Sequence, residues 1–160
     1  MTLTQKETML LEDLKSQEKL CVDKYTQYSS EACDGQLKNL LSQIGQTEQG
    51  HLKTIEQIMS GTVPTVGGGQ SGGSGQQQQQ SGGTPSASSA YANNPEGKQR
   101  DQYFCSDILS TEKHVSSVYD TCIFEFKDEQ LRNVLNHIQK EEQQHGKQIY
   151  DFMSANGMYS

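Results

Sequence analysis

The sequence predicts an all-α protein, a four-helix bundle assembled from two repeated helical hairpins that a long Gly/Gln-rich linker joins. Three observations predict it. Apolar residues recur at steps of three and four in four separate segments. The second pair of segments repeats the first at a constant spacing of 94 positions, the distance from Glu18 to Glu112. The stretch between the pairs carries almost no large apolar side chain.

The first helix is expected over about residues 5–32, opened by Thr4 and Glu7, which at this spacing cap one another's backbone donors. Its seam reads Leu10, Leu14, Glu18, Cys21, Tyr25 and Tyr28. Asp34 stands where it would cap the second helix, about 35–59, whose seam is Leu37, Leu41, Ile44, Glu48, His51, Ile55 and Ile58; Gly61 falls at its stop. Residues 61–97 contain Gly67-Gly68-Gly69, Gly72-Gly73, Gln76 to Gln80 and Gly82-Gly83. Such a segment cannot bury enough surface to offset the entropy of ordering, and a disordered tether is expected.

Asn94-Pro95 offers a cap and a first-turn proline to the third helix, with Gly97 expected to delay its start to about 99. That helix runs to about 126 on the seam Phe104, Ile108, Glu112, Val115, Tyr119, Cys122, Phe126. Asp128 caps the fourth, about 129–154, on the seam Leu131, Leu135, Ile138, Glu142, His145, Ile149, Phe152, and Gly157 falls at its end. The expected organisation is therefore a first hairpin at 1–60, a linker at 61–97 and a second hairpin at 98–160, the hairpins forming one domain. A helix of some 25 residues is about 38 Å long and a flexible linker of this length spans about 30–35 Å. The tether can thus run the length of the bundle, which permits parallel second and third helices without requiring them.

The repeat needs no gap. Asp13, Ser16, Glu18, Lys19 and Tyr25 match Asp107, Ser110, Glu112, Lys113 and Tyr119, and Glu48, Gln49, His51, Lys53 and Ile55 match Glu142, Gln143, His145, Lys147 and Ile149. The seam does not shift to avoid its charges, so each helix aims a carboxylate at the bundle centre. Four carboxylates buried without counter-charge would cost several kcal/mol each, against a domain stability of about 5–15 kcal/mol. Two divalent ions would balance them, and His51 and His145 would give one neutral imidazole to each. In Glu48-x-x-His51 and Glu142-x-x-His145 the spacing puts both side chains on one face of one turn. Carboxylate-rich ligation with one nitrogen per ion suits iron or manganese, and zinc is compatible. Either ExxH alone reads as a solvated pair; the set of six, related by one spacing, points to metal. The rival reading is a hydrated polar layer held by protonation and hydrogen bonds.

The 160 residues carry 13 Lys+Arg against 20 Asp+Glu, a net charge of −7, which argues against nucleic acid or anionic membrane as partners. No window approaches the apolar length of a membrane span, and the first residues are not followed by the apolar core of a signal peptide. Cys21, Cys33, Cys105 and Cys122 form no CxxC pair, which excludes a rubredoxin-type iron site or a zinc ribbon; they read as free thiols, with Cys33 and Cys105 the more accessible. His114 and His137 lie off the seam and are expected at the surface, and Glu31 and Glu125 at the hairpin ends.

The order Glu18, Glu48-x-x-His51, Glu112, Glu142-x-x-His145 resembles the ferritin-like di-iron carboxylate superfamily. That resemblance implies a ferritin-like bundle with Glu18 and Glu112 as terminal ligands, Glu48 and Glu142 as bridging ligands, and one histidine per metal. Tyr25 and Tyr119, each seven residues after the helix glutamate, become the candidate catalytic residues, as hydrogen-bond or electron donors beside the metals. Within the superfamily, Thr4 to Lys19 and its second copy Asp107 to His114 resemble bacterial spore coat proteins of the coat F type, and a Gly/Gln-rich insert suits a clostridial-type coat protein. The resemblance implies an endospore coat component made in the mother-cell cytoplasm, with other coat proteins or a second copy as partners. The complete ligand set departs from a purely structural role. It admits oxidation of ferrous ion, removal of peroxide or catalase-like disproportionation; the alternatives are a structural coat component and a cytosolic rubrerythrin-like peroxidase with an external electron donor. No fifth helix follows His145, so a storage cage is not expected. Tyr28, Tyr91, Tyr103, Tyr150 and Tyr159 are candidates for oxidative cross-linking in a coat.

Overall fold

A computed structural model describes residues 2–64 and 85–159. It holds four long helices, α1 (Gln5–Glu31), α2 (Gly35–Met59), α3 (Pro95–Glu125) and α4 (Glu129–Ala155), with a single 3-10 turn at Ser89–Tyr91 and no strand among the described residues. Among the described residues no helix is long and apolar enough to cross a membrane.

The helix ends follow from their caps. Thr4 and Glu7 form the reciprocal box, Glu7 N donating to Thr4 Oγ1 at 3.2 Å and Thr4 N to Glu7 Oε2 at 2.7 Å. Asp34 accepts from Leu37 N, and Asp128 from Gln130 N and Leu131 N. Gly61 and Gly157, at φ +90° and +62°, supply the left-handed residue that ends α2 and α4. The third helix begins at Pro95, not near 99. Gly97 does not delay it, because Asn94 Oδ1 accepts from Gly97 N at 2.9 Å. A side chain at 97 would run into Asn94 and into Cys33 Sγ, at 2.8 Å from its Cβ, so the glycine answers a close approach.

The hairpins α1–α2 and α3–α4 pack face to face, α1 against α3 and α2 against α4. Lys6 pairs with Glu125 near one end, and Lys24 with Asp107 near the other, so α1 and α3 are antiparallel. It follows that α2 and α3 run in the same direction. Of the expected linker, residues 65–84 lie outside the described residues. Residues 85–94 lie against the bundle: Ser88 N donates to Asn156 Oδ1 at 2.9 Å, the Ser88 hydroxyl to Asp34, and the Tyr91 hydroxyl to Asp101 at 2.8 Å.

The seams of α2, α3 and α4 are buried residue for residue as the periodicity predicts. In α1 the seam differs. Leu11 and Glu7 are buried where Leu10 was expected, and Tyr28 is half-buried, stacked on Phe104 at 4.3 Å. The four seam glutamates fall near the middle of their helices, with Leu14, Ile44, Ile108 and Ile138 one turn away on one side and Ile55 and Ile149 two turns from Glu48 and Glu142 on the other, all buried.

Candidate metal centre

Glu18, Glu48, Glu112 and Glu142 are each 3% exposed or less, and His51 and His145 at most 5%. Their donor atoms gather into two overlapping groups, Glu18/Glu48/His51/Glu142 and Glu48/Glu112/Glu142/His145, within each of which one atom per residue lies within 4.8 Å of the others. Glu48 and Glu142 belong to both groups. All six residues singled out from the sequence are therefore brought together, and the arrangement carries the two-fold symmetry of the repeat.

The local geometry follows from the spacing. On α2, Glu48 and His51 sit one turn apart, with His51 Nδ1 3.4 Å from Glu48 Oε2. Across the bundle, His51 Nδ1 lies 2.9 Å from Glu142 Oε1 and His145 Nδ1 2.6 Å from Glu48 Oε1. The two rings are nearly parallel, their centroids 5.7 Å apart. These approaches lack the angles of hydrogen bonds. Eight buried atoms have no partner: Oε2 of Glu18 and Glu112, both oxygens of Glu48 and Glu142, and Nδ1 of both histidines. Buried polar atoms are rarely left so. Here every one belongs to the six residues, and six oxygens with two nitrogens form a donor set suited to iron or manganese.

Tyr25 and Tyr119 complete the frame. The Tyr119 hydroxyl on α3 donates to Glu18 Oε1 on α1, and the Tyr25 hydroxyl on α1 donates to Glu112 Oε1 on α3. Each outer glutamate is thus held by the other hairpin through one oxygen while its second oxygen faces the cluster. Burial, reinforced by Glu112 at Tyr25 and by Glu18 at Tyr119, holds both phenols well above their ordinary value.

The electrostatics describe a cluster short of positive charge. Burial, with the Glu48 carboxylate beside it, raises Glu18 well above the ordinary range, and burial with Glu142 does the same to Glu112. Burial raises Glu142 as well. Glu48 moves the other way: burial opposes it, but His145 and His51 bring it down to about 2. For His51 burial disfavours the charge, yet Glu141, Glu142 and Glu48 push the ring up to about 12. Protons thus take the place a cation would fill, and metal binding would release them.

Sequence reasoning missed Glu141. Its Oε2 lies 2.8 Å from His51 Nε2, fixing that ring from outside, and its Oε1 lies 3.6 Å from His137. The signal was present as a break in the repeat, since the position equivalent to Glu141 in the first hairpin is Thr47. His114 and His137 are exposed, as are Glu31 and Glu125. Cys105, expected to be accessible, is fully buried, because it lies one turn from Asp101 on the face of α3 that packs inward; Cys33 alone of the free thiols is half-exposed. Tyr103, Tyr150 and Tyr159 are exposed, whereas Tyr28 and Tyr91 are half-buried and bound to Asp107 and Asp101.

Residues 100–160, from within α3 through α4, match the family model described as the Coat F domain. The second hairpin is similar to Coat F domains. The chain is also 33% identical over 63 residues to the "Uncharacterized protein YusN" of Bacillus subtilis (strain 168), a match covering 39% of this chain. The chain spans 57% of the length of that relative. No solved structure matches.

Proposed function

We propose that this chain is a component of the bacterial spore coat whose two hairpins form a ferritin-like bundle around a pair of divalent ions, iron or manganese. The coat reading is supported by the Coat F match over residues 100–160 and by the repeat, which carries the same seam into the first hairpin. Synthesis in the mother cell and association with other coat proteins or a second copy belong to that reading. The parallel course of α2 and α3 supports the ferritin-like topology.

The observation that carries the metal reading is the set of eight unpartnered buried atoms, all on Glu18, Glu48, His51, Glu112, Glu142 and His145. Glu18 with His51 would hold one ion, Glu112 with His145 the other, and Glu48 and Glu142 would serve both. Bound there, the pair would supply Lewis acidity and redox capacity toward peroxide or toward ferrous ion as substrate. The remaining work belongs to the chain. Tyr119 and Tyr25 hold the outer oxygens of Glu18 and Glu112 and keep their own protons. Leu14, Ile44, Ile108 and Ile138 exclude bulk water from the carboxylates.

Metal analysis after anaerobic purification tests the reading, with about two equivalents per chain expected and loss in Glu48→Ala and His145→Ala. Protein free of metal, whose melting is unchanged by added iron, would leave a structural coat component. Probing purified spores against vegetative lysate tests the location, and presence in the lysate alone would favour a cytosolic rubrerythrin-like peroxidase.

A further inference from the structure

The repeat makes the metal-facing atoms symmetric, but the outer faces of the two histidines are not. His51 Nε2 is engaged by Glu141 Oε2 at 2.8 Å, and Glu141 is itself held against His137 through its other oxygen. This outer contact fixes the His51 ring with Nδ1 turned to the carboxylates. At the equivalent position facing His145 stands Thr47, and among the described residues the carboxylates close to His145, Glu48 and Glu112, are met through Nδ1 and not through Nε2. His145 instead borders a cavity of about 210 Å³ between α2 and α4, polar at Gln43, Thr47, Glu141, Gln144 and Gln148.

Two physical consequences differ between the halves. A ligating imidazole whose outer nitrogen is bonded to a carboxylate is both oriented and made more basic, an arrangement worth about 10–100-fold in metal affinity. A ring without that partner must be ordered by the ion it binds. The cavity adds a second difference: His145 is among its lining residues, whereas His51 is not and meets Glu141, itself part of the lining, at Nε2.

On the proposed metal centre, we infer that its two halves are inequivalent. The Glu18–His51 half, with Glu141 as positioning residue, binds its ion first and more tightly. The Glu112–His145 half, bordering the α2/α4 cavity, loads last and exchanges.

Anaerobic titration of the metal-free full chain with Mn²⁺, followed by calorimetry and by electron paramagnetic resonance, tests this. Wild type is expected to bind in two steps, the first about 10-fold or more tighter than the second. Glu141→Ala should weaken the tight step about 10–100-fold and leave the weak step in place, with Glu141→Gln in between. Thr47→Glu, which gives His145 the missing carboxylate, should tighten the weak step. It carries the test by itself if circular dichroism shows Glu141→Ala unfolded. Two equal steps in wild type, or a tight step indifferent to Glu141→Ala, overturns the inference while leaving the metal centre standing. Binding of no ion by wild type overturns both.

Discussion

Tyr119 reaches across from α3 to donate its hydroxyl to Glu18 on α1, and so ties the second hairpin to the buried carboxylate of the first. The tie uses Oε1, while Oε2 is left facing the cluster. Tyr119→Phe removes the donor and leaves a buried carboxylate oxygen unsatisfied, so the metal-free protein should lose about 1–3 kcal/mol. Metal content should be unchanged, because the lost contact is on the far side of the carboxylate. Urea unfolding and metal analysis of the same preparation check both parts. A variant of full stability, or one that no longer binds metal, would contradict this assignment.

Glu142 has the opposite character, with both oxygens unpartnered at 1% exposure. Residues kept for a ligand rather than for the fold should leave the empty protein less stable than an apolar substitute. Glu142→Leu, similar in volume, should therefore raise the stability of the metal-free protein by about 1–2 kcal/mol and abolish metal uptake. Added metal should stabilise wild type by about 2.7 kcal/mol at 100 times the dissociation constant, enough to overtake the variant. Denaturation of both chains with and without Mn²⁺ measures the crossing. A destabilised metal-free variant would mean that the carboxylate serves the fold.

The thiols should divide one to three. Cys33 is half-exposed beside Asn94. Cys105 is enclosed, and burial together with Asp101 and Asp34 pushes its thiol up to about 12; burial with Asp13 moves Cys122 to about 12, and burial raises Cys21 as well. A buried protonated thiol is a poor nucleophile. Thiol titration of the native protein should give one fast equivalent that disappears in Cys33→Ser, the remaining three appearing only in denaturant. Fast reaction of Cys105 would show that α3 opens at its start.

The buried cluster of the six residues was legible in the sequence because a candidate ligand set and helical packing obey the same period. A ligand that must face the core has to occupy a seam position, and duplication showed the six residues twice. What was not legible lay where that period meets the helix ends or where the symmetry breaks. In α1 the steps from Glu18 back to Leu14, Leu11 and Glu7 run four, three, four, whereas two successive steps of four lead to Leu10, off the buried face. Glu141 was not legible because its contact with His51 is made to a helix of the other hairpin. The order of residues 85–94 comes from side-chain bonds to Asp34, Asp101 and Asn156, distant in sequence and without periodic signature.

Glu7 and Asp101 are equivalent positions of the repeat, and each fastens the turn of the opposite hairpin. Asp101 accepts from Cys33 N at 2.8 Å and from Asp34 N at 2.9 Å, while Glu7 accepts from Lys127 N at 3.0 Å as well as from Thr4 N. Burial would raise the Glu7 carboxyl, but the bonds from Thr4 and Lys127 bring it below the ordinary value. A carboxyl lowered on folding binds fewer protons in the native than in the unfolded state. Its contribution is therefore complete above the unfolded value, about 4.3, and is lost as the pH falls through the folded one. Glu7→Gln keeps the shape and removes the charge, so it should cost about 1–2 kcal/mol at neutral pH. The gap between wild type and variant should close as the pH falls below about 4. Urea unfolding of the two metal-free chains at a series of pH values reads this directly. A gap that stays constant or widens in acid would mean that the Glu7 charge takes no part in holding the α3–α4 turn.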